Sequence, residues 1–144
     1  MKTLIVMIAA LSILLGPPSD GWDPDPEDIK LLSQVMYGEA WICPANEREA
    51  VGWCVLHRVD SPDFPNTIKA VITAPSQFLG FSPDNPWEPC WEEARSILIR
   101  WHNGERGNIP AGYCWFWGDG RHNYFRNAYI GGRRYIFPEW RQAA

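Results

Sequence analysis

DPEDIKLLSQVMYGEA, residues 25–40, decides how the chain is read. Asp25 supplies an N-cap and Pro26 suits the first helical position, while Glu27 and Asp28 put negative charge at the positive end of a helix dipole. A helix is therefore expected to start near Pro26. Leu32, Val35 and Met36 repeat at i, i+3 and i+4, and the stripe continued to i+7 falls on Glu39. A carboxylate is thus carried onto the face that the other three turn toward a core. Lost hydration there disfavours the charged form and raises the pKa. A carboxyl that keeps its proton near neutral pH can act as a general acid, which glycosidic cleavage requires as positive charge builds on the sugar ring. The alternative reading of the same residues leaves Glu39 past the helix end, exposed beside Gly38.

Downstream, Asn46-Glu47-Arg48-Glu49 reads as a cap with its glutamate three residues on, followed by Val51, Val55 and Val59 and by Ala50 and Cys54 at four-residue steps. Asp60-Ser61-Pro62 ends this helix. A short helical turn is expected from Pro65, burying Ile68, Val71 and Ile72 and stopped by Pro75. A fourth helix puts Cys90, Ala94, Ile97, Leu98 and Trp101 on one face and closes at Asn103-Gly104. From Ile109 to Trp140 the chain is rich in glycine, aromatics and arginine and has no helical period; at most it forms short strands around Tyr113 to Trp117 and Arg134 to Phe137. The expected fold class is mostly α, an α+β single domain with a short irregular aromatic tail. No internal repeat or low-complexity linker interrupts it.

The 144 residues suffice for one globular domain, and a net charge of −4 lacks the basic footprint of a nucleic-acid binder, so no nucleic-acid partner is expected. Lys2, the apolar run Leu4 to Leu15 and the break at Gly16-Pro17-Pro18 read as a secretory signal peptide, or an N-terminal membrane tether, over residues 1–19, with the domain over 25–144. Action outside the cytoplasm, secreted or associated with the wall, follows from that reading. In an exported chain the four cysteines, Cys43, Cys54, Cys90 and Cys114, favour two disulfides whose pairing the sequence leaves open. The rival is a zinc site using Cys54 and His57, but no paired C-x-x-C knuckle accompanies them, and His102 and His122 stand in no metal-binding motif. No metal or other cofactor is implied, and the chain is expected to act as a monomer.

The run from Leu31 to Phe78, with YGEA at Tyr37 to Ala40 and EAVGWCVLHRVDSPDFPNTIKAVITAPSQF from Glu49 to Phe78, resembles the SleB-like family of cell wall hydrolases, which includes spore cortex-lytic enzymes. Arg58-Val59, FPNTI at Phe64 to Ile68 and Gln77-Phe78 carry most of the weight. The resemblance implies a lysozyme-like domain that cuts the glycan strands of peptidoglycan between MurNAc and GlcNAc, with Glu39 as acid and then base in a lytic transglycosylase reaction. It places Tyr37, Gln77 and Phe78 near the cleaved bond as substrate-binding residues. AGYCWFWG at Ala111 to Gly118 and IGGRRYIF at Ile130 to Phe137 occupy the places of two tail motifs of the family. The chain departs from the family pattern at Trp41, at His57, and at Arg134 or Tyr135 in place of a closing histidine.

Trp53 and Trp101, on helix faces, read as core. Trp115, Phe116 and Trp117 are the candidates to line a glycan groove, because alternating residues of an extended segment face opposite sides. Arg121, Arg126, Arg133, Arg134 and Arg141 against Glu139 make the tail basic, which suits either anionic wall polymers or a solvated face. Two further functions compete with the transglycosylase: a secreted glycan-binding protein without catalysis, and a hydrolytic muramidase in which Asp119 or Glu47 activates water. Serine or cysteine nucleophiles find little support, since no histidine sits in a nucleophile motif.

Overall fold

A computed structural model describes residues 20–142. The expected signal peptide or tether over residues 1–19 lies outside the described residues. Helix α1 (Pro26–Ala40) begins where the sequence puts it, with the Asp25 carboxylate accepting the Glu27 N–H at 2.8 Å. Leu32, Val35 and Met36 are fully buried, as the stripe requires. Helix α2 (Ala45–Asp60) and helix α3 (Ile68–Thr73) follow, and α4 (Trp91–His102) is entered through a 3-10 turn at Glu88–Cys90. Helix α1 packs against α2, α3 and α4 and is the central element. Trp53, Leu56, Ile72, Ile97 and Leu98 close the core around it.

Helix boundaries show which local signals lost to tertiary ones. The expected cap pair of Asn46 and Glu49 does not form. Pro44 is the N-cap of α2, and Asn46 Oδ1 accepts instead from the adjacent Glu47 N–H at 2.9 Å. Glu49 turns away to receive Arg100 Nη1 at 2.5 Å and Trp53 Nε1 at 3.3 Å, because a charge-assisted bond across to α4 outweighs a backbone N–H that water can satisfy. Helix α3 begins three residues after Pro65, since Thr67 caps it by accepting the Ala70 N–H at 3.1 Å.

The tail forms a two-stranded antiparallel hairpin, β1 (Trp115–Gly118) and β2 (Asn123–Arg126), with Trp115 opposite Arg126 and Gly118 opposite Asn123. The first strand lies where the sequence suggests, but the second is not at Arg134 to Phe137. That segment contributes only a single bridge, Arg126 to Arg134, before helix α5 (Pro138–Gln142). The turn decides the pairing: the Asp119 carboxylate accepts the N–H groups of Arg121 and His122 at 2.9 and 2.8 Å, folding residues 123–126 directly back on β1. Asn123 and Phe125 then face inward, and Phe137 meets Phe125 edge-on at 6.1 Å.

The side chains of His57, Arg58 and Asn123 pin this hairpin and the segment leading into it to the helices. His57 Nδ1 and Nε2 lie 3.1 and 2.7 Å from the carbonyl oxygens of Tyr113 and Arg106, and Arg58 Nε donates to Cys114 O at 2.7 Å. Asn123 Nδ2 donates to Glu39 O at 2.9 Å, tying β2 to the end of α1. The two expected disulfides are absent: Cys43, Cys54, Cys90 and Cys114 are free thiols. Each is settled among its own neighbours instead. Cys43 Sγ lies 3.7 Å from Asn123 Nδ2, Cys54 is sealed in the face of α2, Cys90 caps α4, and Cys114 is buried just before β1.

Candidate active site

Because α1 runs to Ala40, Glu39 sits in its last turn, and its carboxyl faces a cleft of about 790 Å³ between the helix end and the hairpin. Gln77 and Leu79 from the loop after α3 form one wall, and Trp115, Phe116, Trp117, Arg126 and Tyr129 form the other, with Arg58 beneath. Leu79 and Tyr129 are exposed at the rim.

The Glu39 carboxyl is held by a contact between two backbones. Gly80 N–H donates to Glu39 Oε1 at 2.8 Å. For that donor to reach the carboxyl, residues 38 and 80 must touch main chain to main chain. A Cβ on Gly38 would collide with the Gly80 carbonyl and lie 2.6 Å from Asn85 Nδ2, and one on Gly80 would run into the Gly38 carbonyl. The loop is fastened from behind. Buried Gln34 donates to Pro83 O and Asn85 O at 2.9 and 3.0 Å, and Asn85 Nδ2 donates to Gly80 O at 2.8 Å. Burial pushes the Glu39 pKa above the ordinary carboxyl range, opposed by the Gly80 N–H and by the positive charge of Arg58. Burial is the largest of these, so the carboxyl retains its proton to higher pH than an exposed glutamate.

Arg58 is itself fixed. Besides Cys114 O, it donates from Nη1 to Gln77 Oε1 at 3.1 Å, and its guanidinium lies over the rings of Phe78 and Phe64 at 4.6 and 5.0 Å. It therefore orients Gln77 in the cleft while lending positive potential to Glu39.

Of the residues singled out in the sequence, Glu39, Gln77, Trp115, Phe116 and Trp117 come together at the cleft. Phe116 rests on Phe78 and Phe125, Trp115 on Phe64, and Trp117 on Tyr124, so each ring has a partner behind it. Phe78 is buried below the cleft, where it supports Phe116 and Arg58. Tyr37 is not among the cleft residues and stacks on Trp41 at 5.1 Å between centroids. The candidate second carboxylates also lie elsewhere. Glu47 is fully buried and accepts from Asn123 N–H at 2.8 Å, with His122 Nδ1 at 3.1 Å. Asp119 is occupied by the hairpin turn and by Tyr124 OH at 2.7 Å, and the His122 N–H, the Tyr124 hydroxyl and the Arg121 N–H hold its pKa down at about 2.

Arg58 and Arg126 line the cleft and Gly80 holds Glu39 from its edge, and sequence reasoning gave none of the three a role in the site. Arg58 was visible as part of the Arg58-Val59 pair that carries the family resemblance, and Arg126 as part of a basic tail, neither with a place in the site. Nothing local to Gly80 announces a partner 41 residues away.

A mostly helical domain with one half-buried carboxyl in a cleft walled by supported aromatics is the setting in which the comparisons fall. Residues 44–135 match the family described as cell wall hydrolase, and the chain belongs to that family. The matched span begins after α1 and Glu39. Among curated relatives, a spore cortex-lytic enzyme of Bacillus subtilis is 32% identical over 100 residues, covering 63% of this chain and 33% of the relative. One from Halalkalibacterium halodurans is 33% identical over 86 residues, covering 60% and 26%, and one from Oceanobacillus iheyensis is 32% identical over 77, covering 54% and 28%. The chain thus spans about a third or less of the length of these relatives. No solved structure matches it.

Proposed function

We propose that this chain cleaves the glycan strands of peptidoglycan between MurNAc and GlcNAc as a lytic transglycosylase, acting outside the cytoplasm. Membership of the cell wall hydrolase family and similarity to proteins named spore cortex-lytic enzymes support the substrate class. The observation that carries the mechanism is that Glu39 is the only carboxylate among the described residues lining the cleft.

In this reading protonated Glu39 gives its proton to the glycosidic oxygen as the bond to MurNAc C1 breaks and GlcNAc leaves. The resulting carboxylate then removes the proton from the MurNAc C6 hydroxyl, whose oxygen bonds to C1 and closes a 1,6-anhydro ring. No water is consumed, and the enzyme ends in its starting protonation state. A pKa raised by burial serves both steps, because acid and base are the same group. Gln77, braced by Arg58, is placed to hold the sugar by hydrogen bonding, and Trp115, Phe116 and Trp117 offer ring faces and edges along the strand. A water-activating base has poor candidates: Glu47 is enclosed, and Asp119 is both tied into a turn and too acidic to be an effective base.

The test is the product. Digestion of purified sacculi in water enriched in oxygen-18, read by mass spectrometry, is expected to give 1,6-anhydro-MurNAc ends without label. Reducing MurNAc ends carrying oxygen-18 at C1 would overturn the transglycosylase reading in favour of hydrolysis. Binding of sacculi with no release of fragments would favour the glycan-binding reading instead. Glu39→Gln is expected to lower the rate by about two to four orders of magnitude, the usual worth of general acid catalysis.

A further inference from the structure

Among the arginines described, Arg126 stands apart by a buried Nε that has no hydrogen-bond partner. Arg48, Arg95, Arg100 and Arg106 each pair with a carboxylate, and Arg58 is held by a carbonyl and by Gln77. Arg126 lines the same cleft as Glu39, yet its side chain makes no ion pair or hydrogen bond among the described residues. Its Nε is shut off from solvent with no partner at all. A buried donor left without an acceptor is costly, more so on a charged group.

Its setting adds a second cost. The bridge between β2 and the following segment sets Arg126 directly across from Arg134, and like charges on facing positions repel. Among the described residues Arg134 is also without a carboxylate partner; its guanidinium lies over the Tyr124 ring at 5.1 Å. On the other side, the register of the hairpin puts Trp115 across from Arg126, so that this cleft wall sets one unpaired positive charge beside aromatic surface. Among the described residues no acceptor meets the Arg126 Nε and no carboxylate pairs with either arginine. An anion arriving from the cleft would offset both, by accepting from the guanidinium fork and by neutralising the facing charges.

We propose that Arg126 is a specificity-determining residue that binds a carboxylate carried by the glycan strand as it lies in the cleft. The proposal rests on the glycan-strand reading given above. A carboxylate meeting the guanidinium side-on takes Nε–H and one Nη–H together, and drawing the side chain toward the cleft gives the buried donor its acceptor. On a peptidoglycan strand such a carboxylate has two sources: the lactyl group of a MurNAc without peptide, or the peptide stem where one is attached. A neutral polymer of GlcNAc offers neither.

The experiment measures binding, with the full chain carrying Glu39→Gln so that strands are not consumed. Soluble glycan strands with free carboxylates are compared with the same strands after methylamidation, for proteins with and without the added change Arg126→Gln. Arg126→Gln is expected to weaken binding of free-carboxylate strands about tenfold, as for loss of a charge-assisted bidentate contact. Methylamidation should weaken binding to the parent by the same factor and leave the Arg126→Gln protein unaffected. Arg126→Lys, which keeps the charge and loses the fork, should recover only part of the affinity. Comparing peptide-bearing strands with strands stripped by an amidase assigns the source, since only the form with the recognised carboxylate will depend on Arg126.

Equal weakening of both strand forms by Arg126→Gln, or no weakening, overturns the proposal. Thermal melting keeps the variant interpretable: removing one of two opposed arginines should leave the melting temperature unchanged or raise it, and a marked fall with equal loss on both strands identifies a structural strut and overturns the proposal too. Failure of the parent to bind any strand refutes the glycan reading itself. Binding that ignores carboxylates leaves that reading standing and removes only the role of Arg126.

Discussion

Glu39 carries opposing influences whose balance can be measured. Burial favours its neutral form more than the Gly80 N–H and Arg58 favour the charged one, so its pKa is higher in the folded protein than in the unfolded chain. The folded state then holds the proton more tightly, and stability falls as pH rises from the ordinary carboxyl range through the raised pKa. Glu39→Gln, which cannot ionise, should melt above the wild type at pH 7, with the difference disappearing in acid below the ordinary glutamate pKa. Equal melting temperatures at both pH values would remove the burial argument. The rate of wall cleavage should decline as pH rises through the same raised value, because the mechanism proposed above starts from protonated Glu39. Gly38→Ala tests the backbone contact. Overpacking there should cost about 1 to 3 kcal/mol, and by displacing Gly80 it should depress cleavage further than the lost stability accounts for, which denaturant titration and turnover on the same preparation will separate.

At the scale of elements, α1 was legible because its start and its buried face are both local: Asp25 and Pro26 mark the first turn, and Leu32, Val35 and Met36 share a stripe. The placement of Glu39 in the last turn follows from the same period. What escaped the sequence was set by distant partners. Glu49 looks like half of a cap until Arg100, 51 residues on, claims it. The strand Asn123–Arg126 was missed because its alternation, Asn and Phe in, Tyr and Arg out, is not one of apolar against polar. Gln34 shows the same difficulty, since a glutamine in a helix reads as solvent-facing. Here it is buried and donates to two carbonyls of the loop that carries Gly80. Gln34→Leu should therefore destabilise the protein by about 1 to 3 kcal/mol and loosen that loop, with faster amide exchange at Gly80 as the direct readout. Unchanged exchange there would show that the loop holds itself.

Across the whole molecule, the cysteines set an expectation opposite to the one their number suggested. With all four sulfurs free, reducing agent should leave the melting temperature unaltered, and denatured protein should titrate for four thiols. Cys54, pushed up to about 12 by burial, should be inert to alkylation in the native state, while half-buried Cys43 reacts ahead of it. Peptide mapping after brief labelling checks the order. The joints of the cleft share one further property: they close long stretches of chain. Gly80 reaches Glu39 over 41 residues, Cys114 reaches Arg58 over 56, and Asn123 reaches Glu39 over 84. Loop closure costs more the longer the span, and the 84 residues between Glu39 and Asn123 exceed every separation between a residue of α1 and one of α4. The helices can therefore close around α1 before β2 docks, with Glu39 already in its turn but with no opposite wall. A molecule caught at that stage would hold the proposed acid without the groove that directs it.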